Sequence, residues 1–328
     1  MAEIVLGIGT SHTPMLFTNP EDWPKYEIRD RKMELLDATG RPRTFDELKQ
    51  EAPPRVAAAL EPEAIQKTYD DCQGHLDRLA DAIESAAPDV VLVIGDNQKE
   101  LFLAENIPAI LVYWGASLLN KHRPPKPGEP SWWSDALAKY YGRGRDEACP
   151  VDAGLARHLI EHLMEHEIDV AQSTALPEGQ GEGHAFAFVH SRILRRRPVP
   201  VVPVFLNTYY PPNQPTPKRC HRLGETIREA VEAWNDDVRV AVVASGGLSH
   251  FVIDEELDWT VLRALEEGNR EALTSLSTVK LNSGTSEIRN WIAMHGAAAH
   301  LTHRWSTYVP AYRTPAGTGT GCAFGVWT

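Results

Sequence analysis

Three histidines and one glutamate lie in segments of small residues whose composition could support chemistry. His12 stands in GTSHTP, His250 in SGGLSH, and His184 follows the glycine-rich acidic loop EGQGEG. Glu287 stands in NSGTSEIRNW, in the first turn of a predicted helix. Imidazole and carboxylate groups bind divalent transition metals, and imidazole also exchanges protons near neutral pH. These residue types therefore indicate a metal site, an acid–base site, or both.

The elements that carry His12 and His250 are predicted strands. EIVLGIG, over residues 3–9, precedes the first histidine, and VRVAVVASGG precedes the second. Ligands bind beyond the carboxyl ends of strands in α/β sheets, so both histidines are expected at one site. Each could instead cap only a neighbouring carbonyl. His184 could equally be exposed, and Glu287 could serve only the dipole of its helix.

A third predicted strand, over residues 88–95, ends in GDNQKE. A polar turn after a buried strand is a common place for a metal ligand, but this turn holds no histidine. Its polar residues are, in order, Asp96, Asn97, Gln98, Lys99 and Glu100. The turn therefore leaves open whether a metal is bound and through which side chain.

Predicted strands and helices alternate along the chain, which indicates an α/β fold with a central mixed, mostly parallel sheet flanked by helices. Residues 1–328 are expected to form one domain with long surface insertions near 17–60, a candidate lid, and 115–150. Prolines in VPVVPVFLN favour an edge strand or an irregular ladder. Helices are predicted over 62–89, 152–166, 255–277 and 285–303.

One histidine series on the predicted helix 152–166 is given no role. His158, His162 and His166 are spaced so that neighbouring pairs could chelate a metal. Apolar side chains mark the opposite side of that helix, namely Leu159, Ile160, Leu163 and Met164. The three histidines are therefore expected on a solvated face.

The bulk composition excludes several classes of partner. The chain has 328 residues, of which 42% are hydrophobic, with a net charge of −12 and a pI of about 5.5. This acidity disfavours nucleic acid and anionic membranes as partners. The four cysteines form no CxxC pair, so they predict neither a zinc knuckle nor a disulfide framework. Scattered thiols, with no signal-peptide pattern and no long apolar stretch, indicate a cytoplasmic protein.

Five segments follow one another in a characteristic order: GTSHTPML, GDNQKELF, GHAFAF, SGGLSH and SGTSEIRNW. In this order the chain resembles the LigB superfamily of extradiol dioxygenases, and it is most similar to the branch around 3-O-methylgallate and gallate dioxygenases. The resemblance runs from His12 to the YRTPAGTGTG tail. It implies a LigB-like fold and Fe(II) held by two histidines and one glutamate. It also implies the oxidative opening of a catechol-like phenolic acid by O2, in a homodimer.

The resemblance assigns roles residue by residue. His12 matches one histidine ligand, and Glu287 matches the glutamate ligand, four residues before a tryptophan. His250 matches the acid–base histidine that exchanges protons with the substrate, and His184 matches a second catalytic histidine that lines the pocket. The second histidine ligand has no match, since one alignment register places Gln98 there and the other places Lys99.

Three explanations of the missing histidine are open. Gln98 could ligate through its amide oxygen, which is a neutral and weaker donor than imidazole. A histidine from elsewhere in the chain, such as His75 or His122, could fold into the site. The metal could be absent, and Lys99 would oppose a cation if it pointed inward, because an ammonium group has no lone pair to donate.

Three functions therefore compete. The first is an Fe(II)-dependent extradiol dioxygenase for a phenolic acid of the gallate or methoxygallate type. The second is a metal-free homologue, either a diverged non-oxidative enzyme that uses His184 and His250 or a non-catalytic partner subunit. The third is a zinc hydrolase, because zinc would accept His12 and Glu287 together with water. Oxygen uptake with a catechol distinguishes the first function from the others.

Overall fold

The structure, a computed structural model, describes residues 1–142 and 144–328. One residue of the predicted insertion 115–150, Arg143, therefore lies outside the described part. The strands are β1 Glu3–Thr10, β2 Leu35–Leu36, β3 Pro42–Arg43, β4 Val90–Asp96, β5 Ile110–Tyr113, β6 Ser117–Asn120, β7 Glu147–Pro150, β8 Ala171–Ser173, β9 Val201–Leu206, β10 Arg239–Ser245, β11 His303–Tyr312 and β12 Gly319–Trp327. The α-helices are α1 Glu27–Asp30, α2 Phe45–Glu51, α3 Pro54–Ala59, α4 Pro62–Ala86, α5 Ser131–Tyr140, α6 Ala153–Glu165, α7 His184–Phe188, α8 Pro217–Glu232, α9 Glu255–Glu266, α10 Arg270–Thr274 and α11 Ile288–Ala297.

The central sheet has eight strands in the order β11-β12-β1-β10-β4-β9-β5-β8. The four middle strands, β1, β10, β4 and β9, run parallel to one another. Antiparallel strands β12 and β5 flank them, and β11 and β8 form the two edges. The predicted α/β fold, with a mixed and mostly parallel sheet flanked by helices, is confirmed. Because the middle strands are parallel, their carboxyl ends meet at one edge of the sheet.

Strand β4 is buried on both faces, and all seven of its residues are inaccessible to solvent. Val90, Leu92 and Ile94 belong to one apolar core together with α6, α8, α9 and α11. Val91 and Val93 belong to a second core with α4, α5 and α7. A run of apolar residues fills both cores because successive side chains of a strand point to opposite faces. Each such buried side chain contributes about 1.5–3 kcal/mol of stability.

Two predicted helices lie close to their expected limits. The helix predicted over 62–89 is α4, which ends where Ala87 adopts a left-handed φ of 44°. The helix predicted over 152–166 is α6, and the Asp152 side chain caps it by accepting a hydrogen bond from the Leu155 backbone N–H at 2.9 Å. Within the described residues, none of the helices combines the length and the apolar character that a membrane span needs.

The other two predicted helices are shorter than expected. The region 255–277 divides into α9 and α10 around Gly268, whose φ of 65° suits glycine better than other residues. The region 285–303 contains α11, preceded by a 3-10 turn over Ser283–Glu287. Glu287 is therefore the N-cap residue of α11 and not a residue inside its first turn.

The proline-containing strand β9 does not lie at an edge, so that part of the prediction is wrong. β9 lies between β4 and β5, and all of its residues are buried. Pro203 pairs with Val93 in the parallel ladder, whereas the antiparallel ladder to β5 covers only Val204, Phe205 and Leu206. The alternative prediction, an irregular ladder, describes this strand, because proline has no N–H to donate.

The two predicted insertions fold into regular elements. The 17–60 insertion contains the 3-10 turn Pro20–Tyr26, α1, the paired strands β2 and β3, α2 and α3. The 115–150 insertion contains α5 between the paired strands β6 and β7. Tyr26 and Trp132 connect the insertions, since their ring centroids lie 5.0 Å apart. The candidate lid is thus packed against the second insertion.

The histidine series on α6 is only partly solvated, so the predicted solvated face is wrong for its first member. His158 is half-buried, with its Nε2 atom 2.9 Å from the Ala230 carbonyl oxygen and its ring centroid 4.9 Å from that of Trp234. His162 is half-buried, and His166 is exposed. The solvated face is narrower than the spacing predicts because α8 packs beside α6.

Candidate metal centre

Four side chains meet at the carboxyl edge of the sheet and are called here the His12 cluster. His12 follows β1, Asp96 ends β4, His184 begins α7, and Glu287 closes the 3-10 turn before α11. The His12 Nε2 atom lies 3.1 Å from His184 Nε2 and 3.3 Å from Glu287 Oε2. It lies 3.9 Å from Asp96 Oδ1. One potential ligand atom from each residue lies within 4.8 Å of the other three.

Trp291 of α11 holds Glu287 at this edge. The indole Nε1 donates to the Gly246 carbonyl after β10 at 2.8 Å, and the ring covers Gly9 of β1. A Cβ atom at Gly9 would lie 2.0 Å from the indole, so glycine permits the close approach of helix and strand. The Gly247 backbone N–H donates to Glu287 Oε2 at 2.7 Å. The contacts of Trp291 thus explain why it follows Glu287 by four residues in the same motif.

The hydrogen bonds of His12 fix which of its ring nitrogens faces the cluster. The Ser245 hydroxyl donates its one hydrogen to the Ala185 carbonyl at 2.7 Å. Ser245 Oγ therefore accepts from His12 Nδ1, which lies 3.0 Å away. In neutral His12 the Nε2 atom then carries a free lone pair that points to Asp96, His184 and Glu287. This is the orientation of a metal-binding imidazole.

Glu100 orients His184 in the same way. The Glu100 Oε2 atom accepts from the His184 backbone N–H at 3.1 Å and from Nδ1 at 2.8 Å. The His184 Nε2 atom is thereby directed at His12. Burial alone would lower the pKa of His184, but the charge and hydrogen bond of Glu100, with smaller contributions from Asp96 and Glu287, raise this pKa to about 10. Without a cation, the proton on Nε2 would lie between the two histidines.

Asp96 is a buried carboxylate whose oxygens accept no hydrogen bond among the described residues. Its side chain is fully inaccessible to solvent, and in the described part of the chain neither oxygen has a hydrogen-bond donor. Burial, and then the charge of Glu287, raise the pKa of Asp96 to about 6. A buried carboxylate of this kind is expected to bind a cation or to be protonated. Together with the lone pairs of His12 and His184, Asp96 makes the donor set suitable for a divalent metal.

His250 and Gln98 both contact the second oxygen of Glu287. The His250 Nε2 atom lies 3.2 Å from Glu287 Oε1, and the Leu248 carbonyl accepts from His250 Nδ1 at 2.9 Å. Burial alone would lower the pKa of His250, but the charge and hydrogen bond of Glu287 raise it. The Gln98 side-chain amide donates to the same Oε1 at 3.0 Å. The ring of His250 fits closely over Gly284, where a Cβ atom would lie 2.0 Å from it.

Lys99 does not point into the cluster. Its backbone adopts a left-handed φ of 57°, and its Nζ atom lies 4.3 Å from the ring centroid of Tyr210. The lysine therefore does not place an ammonium group beside the His12 cluster.

The two histidines named as examples of a replacement from elsewhere in the chain do not reach the cluster. The ring of His75 stacks on Phe324 at 5.7 Å between centroids. The Nδ1 atom of His122 lies 2.9 Å from the Gly142 carbonyl oxygen. The histidine that does join His12 is His184. Sequence reasoning placed His184 in the pocket but gave it a different role.

Two residues of this site were named in the sequence without a role. Asp96 and Glu100 both belong to GDNQKE, and the structure turns both side chains inward. The signal that could have identified Asp96 is its position as the last residue of a buried strand. Glu100 had no comparable signal, because its partner His184 is far away in the sequence.

A pocket with an empty volume of about 750 Å³, part of it open to solvent, adjoins the cluster. Its walls combine cluster residues with residues from both insertions, and its aromatic side chains are Tyr26, Trp133, Tyr140, Tyr141 and Phe251. Two arginines also line it. Arg313 is neutralised by the buried Asp30, with N–O distances of 2.7 and 2.9 Å. Arg29 stacks on Trp133, 5.1 Å from the ring centroid, and pairs with no carboxylate among the described residues. The pocket therefore combines aromatic walls with one guanidinium group that pairs with no carboxylate among the described residues.

Comparison with known proteins identifies the relatives of this chain. A family model described as the catalytic LigB subunit of aromatic ring-opening dioxygenase matches residues 52–323. A gallate dioxygenase of Pseudomonas putida is 29% identical over 174 residues, which cover 48% of this chain and 50% of that protein. A 2,3-dihydroxyphenylpropionate/2,3-dihydroxicinnamic acid 1,2-dioxygenase of Cupriavidus necator is 38% identical over 101 residues, which cover 31% and 30%.

A protein of the latter name from Comamonas testosteroni is 24% identical over 171 residues, which cover 52% of this chain and 45% of that protein. The chain thus spans half or less of the length of these relatives. The family model, in contrast, spans most of the chain. The resemblance found in the motifs is therefore confirmed, and the protein belongs to the LigB family of aromatic ring-opening dioxygenase subunits.

Proposed function

We propose that the protein is an extradiol dioxygenase that uses Fe(II) and O2 to open the ring of a catechol-like phenolic acid, of the gallate or methoxygallate type. One observation carries this proposal: two imidazole nitrogens and two carboxylates converge beside an aromatic-lined pocket. Imidazole and carboxylate are the ligands of non-haem iron oxygenases. Membership of the LigB family supports the same chemistry.

His12 and Glu287 are the proposed iron ligands predicted from the motifs, and we assign the place of the missing histidine to His184. Both imidazoles would hold one ion through their Nε2 atoms, which face each other in the cluster. The 3.1 Å separation of the His12 and His184 Nε2 atoms fits this arrangement. His184 then exchanges its predicted catalytic role for a ligand role. When bound, iron supplies the electron transfer to dioxygen that protein side chains do not provide.

Asp96 and Gln98 complete the surroundings of the proposed ligands. A dication would balance the charges of Asp96 and Glu287, and would give Asp96 the partner that it lacks among the described residues. This weighs against the metal-free alternative, because an unpaired buried carboxylate costs several kcal/mol. Gln98 remains a predicted ligand through its amide oxygen. Its amide N–H contact to Glu287 supports a role in positioning that carboxylate instead.

His250 is the proposed acid–base residue. Its Nδ1–H is held by the Leu248 carbonyl, so its Nε2 atom faces Glu287 and the pocket. An imidazole in this position can accept the proton of a substrate hydroxyl and return it as the ring opens.

Arg29 is the proposed partner of the substrate carboxylate. It lines the pocket and pairs with no carboxylate among the described residues, whereas Arg313 already pairs with Asp30. A guanidinium group binds a carboxylate through two parallel hydrogen bonds, which also fixes the direction of the ring. Trp133, which stacks on Arg29, would hold the guanidinium plane in place.

We also propose three features of the whole protein. The chain acts as one catalytic domain over residues 1–328, with both insertions covering the site. It forms a homodimer, as the LigB resemblance implies. It works in the cytoplasm on a small aromatic acid and O2.

The function is tested by loading the purified protein with Fe(II) without oxygen and then recording O2 uptake. We expect uptake with gallate or 3-O-methylgallate, weaker uptake with catechol, and none after His12→Ala. Protein loaded with Zn²⁺ is the control for a zinc hydrolase and is expected to consume no O2. If the iron-loaded protein consumes no O2 with any catechol-type acid, the proposed function is wrong.

A further inference from the structure

A second cluster of possible metal ligands lies away from the His12 cluster and is called here the Cys149 cluster. Cys149 belongs to β7, Glu182 precedes α7, and His190 lies in a π-helical turn over Val189–Ile193. All three side chains are buried, with relative exposures of 2%, 4% and 8%. Their potential ligand atoms lie within 4.8 Å of one another.

The three donor atoms form a triangle of the size that a metal ion needs. Cys149 Sγ lies 3.0 Å from His190 Nδ1 and 3.8 Å from Glu182 Oε1. His190 Nδ1 lies 3.4 Å from the same Oε1. In a tetrahedral zinc site, the edges between sulfur, nitrogen and oxygen ligands are about 3.3–3.6 Å, given the usual bond lengths. The mean edge of the triangle therefore matches a tetrahedral face.

The cluster also has more acceptor atoms than donors. Glu182 pairs with no lysine or arginine in the described residues. The Asn120 amide donates to its Oε1 atom at 2.5 Å, and the Cys149 thiol lies 3.8 Å from the same atom. Both ring nitrogens of His190 lie within 3.3 Å of Cys149 Sγ. The Asn120 Oδ1 atom is buried, and no donor reaches it in the part of the chain that the structure describes. A dication would satisfy this surplus of lone pairs and the buried charge.

We propose that Cys149, Glu182 and His190 bind a thiophilic divalent cation of the Zn²⁺ class. Sulfur, imidazole and carboxylate ligands suit zinc, and the fourth position is open to water or to the Asn120 oxygen. Glu182 also lines a surface pocket with Lys121 and Tyr141, which gives the ion a path from solvent. This proposal is independent of the proposed dioxygenase function.

The position of the Cys149 cluster indicates what the ion would do. It joins the end of the 115–150 insertion to the glycine-rich loop that contains Glu182 and to the turn after α7. Glu182 is two residues before His184, a member of the His12 cluster. The cation would therefore anchor the glycine-rich loop that precedes His184 and would stabilise the 115–150 insertion.

The test uses Co(II) as the probe for the full chain after treatment with a chelator under reducing conditions. One form of the chain is unmodified, and the other carries His12→Ala and Glu287→Gln, which remove ligands of the His12 cluster. We expect both forms to bind Co(II) with a thiolate-to-cobalt absorption band in the near ultraviolet, and Zn²⁺ to displace it. Cys149→Ser is expected to abolish the band and to weaken binding by at least about tenfold.

Cys220→Ser is the matched control, because Cys220 is also buried but lies outside both clusters. This variant is expected to keep the band. If Cys149→Ser does not fold, Co(II) binding by Glu182→Gln is compared with binding by the unmodified chain. The absence of a thiolate band in the unmodified chain would overturn the proposal. Survival of the band in Cys149→Ser would overturn it as well.

Discussion

The His12 cluster and the Cys149 cluster both place histidine and carboxylate groups in buried surroundings, but they meet solvent differently. His12, His184 and Glu287 all line the pocket that also contains five aromatic side chains from the rest of its wall. In the Cys149 cluster, Glu182 lines a separate surface pocket. A metal in the first cluster would have room for substrate, whereas one in the second would be enclosed by protein. Similar ligand sets would therefore support catalysis or structural stability according to the space left beside the metal.

Replacement of His250 by glutamine is expected to have the largest effect on activity at the His12 cluster. His250→Gln removes the proposed acid–base group but none of the proposed iron ligands. We therefore expect kcat for O2 uptake to fall by about 10²–10⁴-fold while the iron content is retained. His166→Gln, on the exposed end of α6, is the control and is expected to leave kcat unchanged. Loss of iron in His250→Gln would instead assign this histidine to the metal.

Asp258, in contrast to Asp96, is a buried carboxylate that needs no cation. The Ser249 hydroxyl and the Tyr308 hydroxyl donate to its Oδ2 atom at 2.6 and 2.7 Å. Burial nevertheless raises the pKa of Asp258 to about 7. The folded state then binds more protons than the unfolded state between about pH 4 and pH 7, so stability decreases as the pH rises through that window.

The titration of Asp258 is expected to lower the free energy of unfolding by on the order of 4 kcal/mol from the acidic to the neutral end of this window. It is measured by urea unfolding of the metal-free protein near pH 4.5 and near pH 7.5, with Asp258→Asn as the comparison. The substitution removes the titrating group, so the wild-type protein is expected to lose more stability than the variant as the pH rises. Equal losses in both proteins would contradict the raised pKa of Asp258.

Arg29→Ala tests the proposed direction of the substrate in the open site. Hydrogen bonds to a charged group contribute about 1.5–3 kcal/mol, so KM for gallate is expected to rise about 10–100-fold. KM for catechol, which has no carboxylate, is expected to stay the same. Arg31→Ala is the control, because Arg31 pairs with Glu27 and Asp46 outside the pocket. An equal rise of KM for both substrates would assign Arg29 to packing only.

Lys99→His is expected to have the smallest effect. It introduces a histidine at one of the two positions where the family motif would place the missing ligand. Because the backbone at residue 99 directs the side chain toward Tyr210, the new imidazole is expected to miss the His12 cluster. Iron affinity should therefore equal that of the wild-type protein in a competition with a chelator. A marked gain in affinity would show that His184 does not fill the ligand position.

The sequence was sufficient to predict the sheet and the strand-end position of His12, because apolar runs and small-residue turns are local signals. It was also sufficient to find Glu287, through a motif whose glutamate and tryptophan act together. The burial of β9 was not predictable in this way, since Pro203 is accommodated by an incomplete ladder that depends on its neighbours. The same limit applies to His158, which is covered by a helix that is distant in sequence.

The ligand role proposed for His184 could not be read from the chain, since it depends on contacts between distant segments. Glu100 turns the imidazole toward His12 from a position 84 residues earlier in the chain. The Cys149 cluster escaped prediction for a similar reason, because Cys149 and His190 are 41 residues apart and follow no metal-binding spacing. The glycine-rich loop before α7 serves both regions, since Glu182 lies in it and His184 follows it.

The most direct test of the central claim is the iron content of protein purified without oxygen, reloaded with Fe(II) and measured by mass spectrometry. The wild-type protein is expected to hold about one iron per chain at the His12 cluster. His184→Ala is expected to lose this iron, as is His12→Ala, whereas His166→Gln, on the exposed end of α6, keeps it. No bound iron in the wild-type protein, or full iron content in His184→Ala, would contradict the assignment of the missing ligand to His184.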